Sequence, residues 1–384
     1  MVNSLRIWNV SLLLIVGVFS TLPAMLWLFG PGRSSGWTVG EWLIDYSDGF
    51  VRRGLFGSAI NQIAASFDLE HLLVAKAAIA LFHLIFVVSS SCLFLLAPRT
   101  PANVLVYGSP AFLLFAIDAE GALRKEILML GLFASFLLLY RALPRHRLAL
   151  SWIFAAVIPV LVLIHEGLFF FVPFLFAGLW LSARDGSNLK IARVQIAISG
   201  ALVLTFFILS FFMKGSASTS TAICSRLSIE AQRTGVCDGA ISYLGTDLEG
   251  ALADVLEAAN SPRFLPAYML AVVLSSVPFL LVRHSTLSGK AWAICVIFST
   301  PLFLVGVDWG RWIHVLFSLA SLIILAFPQT MRSSRPSKRS LMHPSYAAFI
   351  ALFVVAWNIP HARAEAIGPG VVGLVIRVLA TGEI

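Results

Sequence analysis

Residues 72–96 read LLVAKAAIALFHLIFVVSSSCLFLL, an apolar run whose one formally charged residue is Lys76. A helix needs about 20 consecutive apolar residues to cross the ~30 Å hydrocarbon layer of a bilayer. Because that layer holds no water to satisfy the backbone, a crossing segment must be a helix or a strand of a closed barrel. The run lacks the polar–apolar alternation of a barrel strand. It therefore predicts a transmembrane helix.

Similar runs recur along the chain and set the fold class. Hydrophobic residues make up 59% of the 384 residues and charged residues 12%, against about 25% charged residues in soluble domains. Residues 1–384 are therefore predicted to form a single integral-membrane domain, an all-α polytopic transmembrane bundle of about eleven helices. The predicted spans are 8–30, 72–96, 104–117, 127–140, 148–164, 167–182, 194–213, 264–282, 291–307, 312–328 and 346–359.

Lysine and arginine orient this bundle, because they are enriched in short cytoplasmic loops. With the N-terminus in the cytoplasm, Asp185 is the one acidic residue on the inner side. The net charge of +8 then needs no nucleic-acid partner, and the basic run 332–339 is interpreted as a cytoplasmic loop rather than a contact for nucleic acid or anionic lipid. The inner basic residues are Arg6, Arg99, Arg141, Arg145, Arg147, Arg184, Lys190, Arg193, Arg283, Lys290, Arg332, Arg335, Lys338 and Arg339.

Two long loops are predicted on the extracytoplasmic side. Loop 31–71 is expected to contain an interfacial amphipathic helix, because apolar residues recur there at helical spacing. Loop 214–263 is expected to contain a surface helix starting near Asp247. It also contains Cys224 and Cys237, which are expected to form a disulfide outside the cytoplasm; a metal site at these cysteines is disfavoured because no His or further Cys lies nearby.

The first burst of charge in the outer loops is DYSDGFVRR, residues 45–53. Asp45 and Asp48 would share one face if the segment were helical. Paired carboxylates can divide acid and base roles, bind sugar hydroxyls, or hold a divalent cation such as Mg²⁺ or Mn²⁺. Arg52 and Arg53 follow within a turn. The alternative is a solvated loop with internal ion pairs, and no cofactor is required, since Arg and Lys can supply positive charge in place of a metal.

Three further bursts lie at predicted outer helix ends. Arg124, Lys125 and Glu126 begin a helix, where a phosphate would be stabilised; the alternative is pairing of the cations with Asp118 and Glu120. His165 and Glu166 interrupt an apolar stretch, where histidine is a natural proton acceptor; the alternative is a simple hairpin turn. Asp308 and Arg311 form another turn, in which Arg311 could contact a lipid phosphate and Asp308 could orient it. Each of these groups is a candidate site because ionisable residues at membrane depth are costly.

Together these residues resemble the GT-C superfamily of integral-membrane glycosyltransferases, and within it the O-antigen and capsular polysaccharide polymerases. Members carry acidic residues in the first outer loop, the place that Asp45 and Asp48 occupy. The resemblance implies a lipid-linked sugar donor, with Arg52, Arg53, Arg124 or Arg311 holding its phosphate. Motifs for nucleotide hydrolysis, metalloproteases and serine hydrolases are absent from the sequence.

The predicted function is a glycosyltransferase or polysaccharide polymerase of the bacterial inner membrane, acting at the extracytoplasmic face on a polyprenyl-linked saccharide. Arg124 and Lys125 would stabilise the leaving phosphate. His165, oriented by Glu166, or Asp45 or Asp48, would take the proton of the acceptor hydroxyl. Membrane lipid and other envelope-polysaccharide assembly proteins are the expected partners. Two alternatives remain: a transporter or flippase of lipid-linked oligosaccharide, and a non-catalytic assembly subunit.

Overall fold

The computed structural model describes residues 17, 21–30, 35–98, 100–116, 118–185, 188–281, 289–327, 344–363 and 365–370. Within these ranges the regular secondary structure is helical, apart from two isolated β-bridges. Residues 21–29 are helical, and the helices that follow are α1 Val39–Trp42, α2 Gly54–Phe67, α3 His71–Leu96, α4 Pro101–Gly108, α5 Ala119–Ala122, α6 Glu126–Ala142, α7 Arg147–Ile164, α8 Val172–Asp185, α9 Leu189–Phe212, α10 Ala217–Ser225, α11 Ile229–Arg233, α12 Leu248–Ala259, α13 Phe264–Leu281, α14 Gly289–Ser299, α15 Leu302–Val305, α16 Trp309–Ala326 and α17 Pro344–Val355.

Five helical segments in the described part are long and apolar enough to cross a membrane: 71–96, 144–164, 166–184, 189–212 and 309–326. A sixth is counted if α12 and α13, which meet at an angle of 89°, form one broken span. The chain is therefore a multi-pass helical membrane protein. The finer prediction of about eleven crossings is not settled by these segments, and most of the first predicted span, 8–30, lies outside the described residues.

The centre of the bundle is formed by α3, α6 and α16, which pack against one another. Gly131 of α6 lets this helix approach α3 closely, since a Cβ there would lie 3.1 Å from the Phe82 carbonyl oxygen. Aromatic rings fill the neighbouring space, with Phe86 and Phe115 in edge contact at 5.2 Å between ring centroids. The polar residues at the start of α6 and α16 are thereby held side by side at one end of the bundle.

Two predicted spans are interrupted. Span 104–117 breaks after α4, where Ser109 and Pro110 lead into a turn and a short 3₁₀ helix, Leu114–Ala116. Span 291–307 breaks between α14 and α15, at Thr300 and Pro301. Proline has no backbone N–H and disfavours helical conformation in the residue before it, so each apolar run becomes two shorter pieces.

The loop that contains α1 and α2 and the loop that contains α10, α11 and α12 fold onto each other. Helix α2 is amphipathic: Gly57, Ile60 and Ala64 are buried at helical spacing, whereas Phe67 is 71% exposed. Cys224 and Cys237 are joined by a disulfide, and Asp247 caps α12 by accepting a hydrogen bond from Gly250 N at 2.8 Å. The disulfide-bearing loop reaches the first loop through Ala240 N, which donates to Gly36 O at 3.1 Å. It therefore supports the segment from which α1 begins.

Candidate functional site

A fully buried carboxylate, Glu41, lies at the centre of the polar residues. It is carried by α1, a single turn whose four residues are all buried. Arg124 Nε lies 3.0 Å from Oε2 of Glu41, Arg53 Nη1 lies 3.4 Å from Oε1, and His165 Nε2 lies 3.0 Å from Oε1. Three groups that are distant in the sequence are therefore gathered by one acid. These groups belong to a larger set of charged residues in mutual contact, which we call the charge network. Its members are Glu41, Arg52, Arg53, Arg124, Lys125, Glu126, His165, Glu166, Asp308 and Arg311.

Arg53 links Glu41 to the hairpin between α7 and α8. Its guanidinium holds Glu166 in a two-point contact, with Nη2–Oε1 at 2.6 Å and Nε–Oε2 at 2.9 Å. The backbone of Arg53 has φ of 68°, a left-handed conformation that costs a non-glycine residue about 1 kcal/mol or more. Arg52, next to it, donates to the carbonyl oxygens of Tyr243 and Leu244. The two arginines therefore fasten the loop that contains α1 and α2 both to the bundle and to the disulfide-bearing loop.

Lys125 is buried without any exposed surface. Its Nζ donates to Arg53 O at 2.7 Å and to Ile164 O at 3.2 Å. Burial lowers the pKa of Lys125 to about 7, against the opposing effect of Glu41 and with a further lowering by Arg53. A neutral amine has two protons, enough for both carbonyl oxygens. Lys125 is therefore placed as an internal tie, below the surface of the site.

Arg124 and Arg311 converge on one carboxylate oxygen. Arg124 Nη1 lies 2.9 Å and Arg311 Nη2 lies 2.8 Å from Asp308 Oδ2, and Arg311 Nη1 also lies 3.0 Å from Glu126 Oε1. Both arginine side chains are under 8% exposed, whereas Asp308 is 22% exposed. Asp308 is thus the part of this group that is nearest to the surface.

Burial and charge oppose each other throughout the network. Burial works to raise the pKa of Glu41, but Arg124, His165 and Arg53 outweigh it and hold that pKa well below its usual range. Burial likewise works to raise the pKa of Asp308, but the neighbouring Arg311 and Arg124 outweigh it, so this pKa lies below its usual value. Burial works to lower the pKa of Arg124, but Glu41 and Asp308 outweigh it and raise this pKa above its usual value. These three groups are therefore charged at neutral pH.

The ring of His165 is fixed in one tautomer. Nδ1 accepts a hydrogen bond from Gly167 N at 2.9 Å, so the ring proton lies on Nε2, which faces the carboxylate of Glu41 at 3.0 Å and that of Glu126 at 3.7 Å. The residue is 2% exposed. Nδ1 is occupied by the Gly167 N–H, and Nε2, which makes no hydrogen bond in the described part of the chain, faces two buried carboxylates instead of the polar surface. The role of His165 as a base remains a prediction, and the burial of the ring limits the access of an acceptor hydroxyl to it.

A polar cavity of about 380 Å³ lies over Asp308, Arg124 and Arg311. One wall is aromatic: Trp37 and Tyr243 meet edge to face at 5.4 Å, and Tyr243 donates to Asp254 at 2.8 Å. The other wall comes from the segment after α17. The lining residues are Trp37, Leu114, Asp118, Glu120, Gly121, Arg124, Tyr243, Asp254, Val307, Asp308, Gly310, Arg311, Pro360, His361, Ala362 and Arg363.

An apolar cavity of about 680 Å³ is adjacent, between α8, α13, α14 and α16. Trp309 lines the apolar cavity, while its neighbours Asp308 and Gly310 line the polar one. The ring of Trp309 packs against Phe264 and Phe303 at 4.9 and 5.6 Å between centroids. A polar and an apolar compartment therefore meet at the first turn of a single helix.

Most of the residues predicted from the sequence come together. Glu126, His165 and Glu166 belong to the charge network with the arginines already described, and Arg124 pairs with Glu41 and Asp308, not with Asp118 or Glu120 as the alternative proposed. Their catalytic and binding roles remain predictions. The members of the network are Glu41, Arg52, Arg53, Arg124, Lys125, Glu126, His165, Glu166, Asp308 and Arg311.

Asp45 and Asp48 lie elsewhere. Residues 43–53 turn without forming a helix, so the two carboxylates do not share a helical face. Asp45 is buried and pairs with Arg226 at 3.0 Å, and it also accepts hydrogen bonds from Ser47 and Asn61. Asp48 is exposed. Among the described residues no group of three or more His, Cys, Asp or Glu side chains is placed to hold a metal ion.

Sequence reasoning missed Glu41 and His361. Glu41 stands in VGEWLI, residues 39–44, where a lone acid among apolar residues at a membrane surface was a usable signal. His361 lies 243 residues from Asp118, its partner in space, and its position carries no local signal.

No protein-family model, no curated protein and no solved structure matches this chain.

Proposed function

We propose that this protein is an integral-membrane glycosyltransferase of the polysaccharide-polymerase type, which takes a sugar from a polyprenyl phosphate or pyrophosphate at the extracytoplasmic face. The carrying observation is the convergence of Arg124 and Arg311 on Asp308 Oδ2, at 2.9 and 2.8 Å, beneath a cavity of about 380 Å³. Two guanidinium groups held in place by buried acids are suited to an oxyanion whose charge grows in the transition state.

The two compartments fit the two chemical halves of such a donor. The apolar cavity could take the first isoprene units while the phosphate and sugar occupy the polar one, with Trp309 between them. Aromatic faces next to hydrogen-bonding side chains suit pyranose rings, and Trp37, Tyr243 and Asp254 supply this combination on one wall. Arg124 also lies over the Trp37 ring, 5.6 Å from its centroid.

Arg311 gives the direct test. The chain and its variants are expressed in a strain of the source organism from which the chromosomal copy has been deleted, and the length of envelope polysaccharide is measured on gels. Removing one donor to a developing oxyanion costs about 10²–10³ in rate, so Arg311→Gln is expected to abolish long-chain product. Arg145→Gln, an exposed residue at the other end of the bundle, is the matched control.

Two additions make the result decisive. Arg311→Gln leaves Glu126 buried without its nearest cation, so the double variant with Glu126→Gln separates loss of chemistry from loss of folding. The leaflet that holds the accumulated lipid-linked saccharide is then determined with a membrane-impermeant periodate label on intact cells. Accumulation in the outer leaflet supports a transferase, and accumulation in the inner leaflet supports the flippase alternative. Unchanged polysaccharide in both variants would overturn the proposal.

A further inference from the structure

The segment after α17 carries a histidine–carboxylate pair into the wall of the polar cavity. Asp118 caps the short helix α5, where its Oδ1 accepts from Gly121 N at 3.0 Å. Its second oxygen, Oδ2, is in close contact with Nδ1 of His361. His361 and Asp118 both line the cavity over Arg124 and Arg311. Neither residue belongs to the charge network.

The pair leaves one ring nitrogen available. Because a carboxylate accepts, Nδ1 of His361 must carry the ring proton, and the lone pair then lies on Nε2. Within the described part of the chain no hydrogen bond to Nε2 occurs, and 43% of the side chain is exposed. His165, by contrast, is almost fully buried, with Nδ1 accepting from Gly167 N and Nε2 facing Glu41. Of these two histidines, His361 is the one that a substrate hydroxyl can reach.

We propose that His361, held by Asp118, is the general base that deprotonates the hydroxyl of the acceptor saccharide; this rests on the glycosyltransferase function proposed above. The acceptor oxygen forms a bond to the anomeric carbon of the donor as the bond from that carbon to the phosphate oxygen breaks. The hydroxyl proton passes to Nε2, and the electron pair of the broken bond stays on the phosphate, which Arg311 and Arg124 stabilise. The imidazolium then returns its proton to water.

The surroundings hold the imidazole in place. A Cβ on Gly121 would lie 2.9 Å from both Cε1 and Nδ1 of His361, so only glycine at that position leaves room for the ring. The backbone is fixed as well: Tyr268 donates to the His361 carbonyl oxygen at 2.5 Å, and a Cβ on Gly310 would collide with the Pro360 carbonyl oxygen. The backbone of His361 and the edge of its ring are therefore both held in place, as a general base that must stay within reach of its proton requires.

The charges around the ring favour a proton acceptor. Burial works to lower the pKa of His361, but the hydrogen bond and charge of Asp118, with smaller contributions from Asp308 and Glu120, raise it above the ordinary histidine value. A base that must be unprotonated loses activity as pH falls through its pKa. The groups that line the same cavity or contact the segment are Asp118, Glu120, Arg124, Tyr243, Asp254, Tyr268, Asp308, Arg311 and Arg363.

The test uses the full-length protein in lipid nanodiscs, with the lipid-linked saccharide fraction extracted from the deletion strain as substrate and mass spectrometry to follow product. A general base contributes about 10²–10⁴ in rate, so His361→Gln is expected to lower kcat by at least a hundredfold with little change in KM. Asp118→Asn is expected to move the acidic limb of the pH profile to lower pH. His146→Gln, exposed at the opposite end of the bundle, should behave as the wild type.

A second measurement does not depend on turnover. The protein labelled with ¹⁵N-histidine should show one ring, assigned by its loss in His361→Gln, with its proton on Nδ1 and a titration that shifts to lower pH in Asp118→Asn. A ring protonated on Nε2 would overturn the base role even if His361→Gln folded poorly. An active wild type with an equally active His361→Gln would overturn the base role alone. An inactive wild type would overturn the glycosyltransferase function and the base role with it.

Discussion

Replacing Glu41 with glutamine removes the charge at the centre of the network while preserving the size of the side chain. Glu41 has no exposed surface, and Arg124, His165 and Arg53 lie 3.0, 3.0 and 3.4 Å from its oxygens. Breaking a buried ion pair from one side costs about 3–5 kcal/mol, because the remaining charge is left buried without compensation. Arg53 keeps Glu166, and Arg124 keeps Asp308. We therefore expect the lower end of that range, about 3 kcal/mol.

The free energy of unfolding is measured by denaturant titration in mixed micelles, for the wild type, for Glu41→Gln and for Glu249→Gln. Glu249 is an exposed residue of α12, and its substitution is expected to change stability by less than about 0.5 kcal/mol. A pH series adds a sign. Because the pKa of Glu41 is lowered in the folded state, its contribution is complete above the unfolded value of about 4.3 and is lost as pH falls through the folded value.

Wild type should therefore lose more stability than Glu41→Gln between pH 5 and pH 3. The reasoning is refuted if Glu41→Gln unfolds at the same denaturant concentration as Glu249→Gln, or if the acid profiles of wild type and Glu41→Gln run parallel. Either result would mean that Arg53 and Arg124 are satisfied without Glu41.

Three further predictions concern the supports of the site. The first concerns Lys125, whose pKa is about 7 in the folded protein, so that between pH 7 and about 10.4 the unfolded state binds more protons than the folded state. The free energy of unfolding should therefore rise across that window by up to about 1.4 kcal/mol per pH unit. Lys125→Met should abolish this rise in denaturant titrations carried out as a function of pH. Replacing Cys224 and Cys237 together by serine should cost about 3 kcal/mol and increase amide exchange in the loop that accepts hydrogen bonds from Arg52, an effect absent from the Cys92→Ser control. Gly310→Ala should lower the free energy of unfolding by about 1–3 kcal/mol, because the added Cβ overpacks against the Pro360 carbonyl oxygen, and it should reduce product formation. Gly289→Ala is the control: a Cβ there meets nothing within 4 Å, so neither stability nor product formation should change.

Hydropathy predicted the long helices well and the interrupted ones poorly. The span predicted at 72–96 is helix His71–Leu96 and the span at 194–213 is helix Leu189–Phe212, because a long apolar run in a bilayer has few alternatives to a helix. The positions of the breaks, at Ser109–Pro110 and Thr300–Pro301, were not predicted. A sum over a window of residues registers apolar character and is insensitive to where a proline ends a helix.

For the site as well, one part could be predicted from the sequence and another could not. Arg124, Glu166 and Asp308 lie at the same end of the bundle, and the order of loops in the sequence carries the information that groups them there. The partner of each charge was not predictable, since it depends on side-chain reach in three dimensions. Asp45 shows this most clearly: the chain reverses at Gly49, with φ of 105°, and at Arg53, with φ of 68°, and this carries Asp45 to Arg226 and away from the network.

The network also bears on the proposal that the cavity binds a phosphate. Its four arginines, Arg52, Arg53, Arg124 and Arg311, are matched in number by four acids, Glu41, Glu126, Glu166 and Asp308, and burial lowers the pKa of Lys125 to about 7. Replacing a buried network of this kind with apolar residues often leaves a protein equally or more stable, so stability alone does not account for it. What the arrangement does provide is two guanidinium groups sharing a single oxygen of Asp308, the least buried acid of the set. A phosphate in the cavity, as proposed above, would meet both arginines beside Asp308, while Glu41 holds Arg124 and Glu126 holds Arg311 from below.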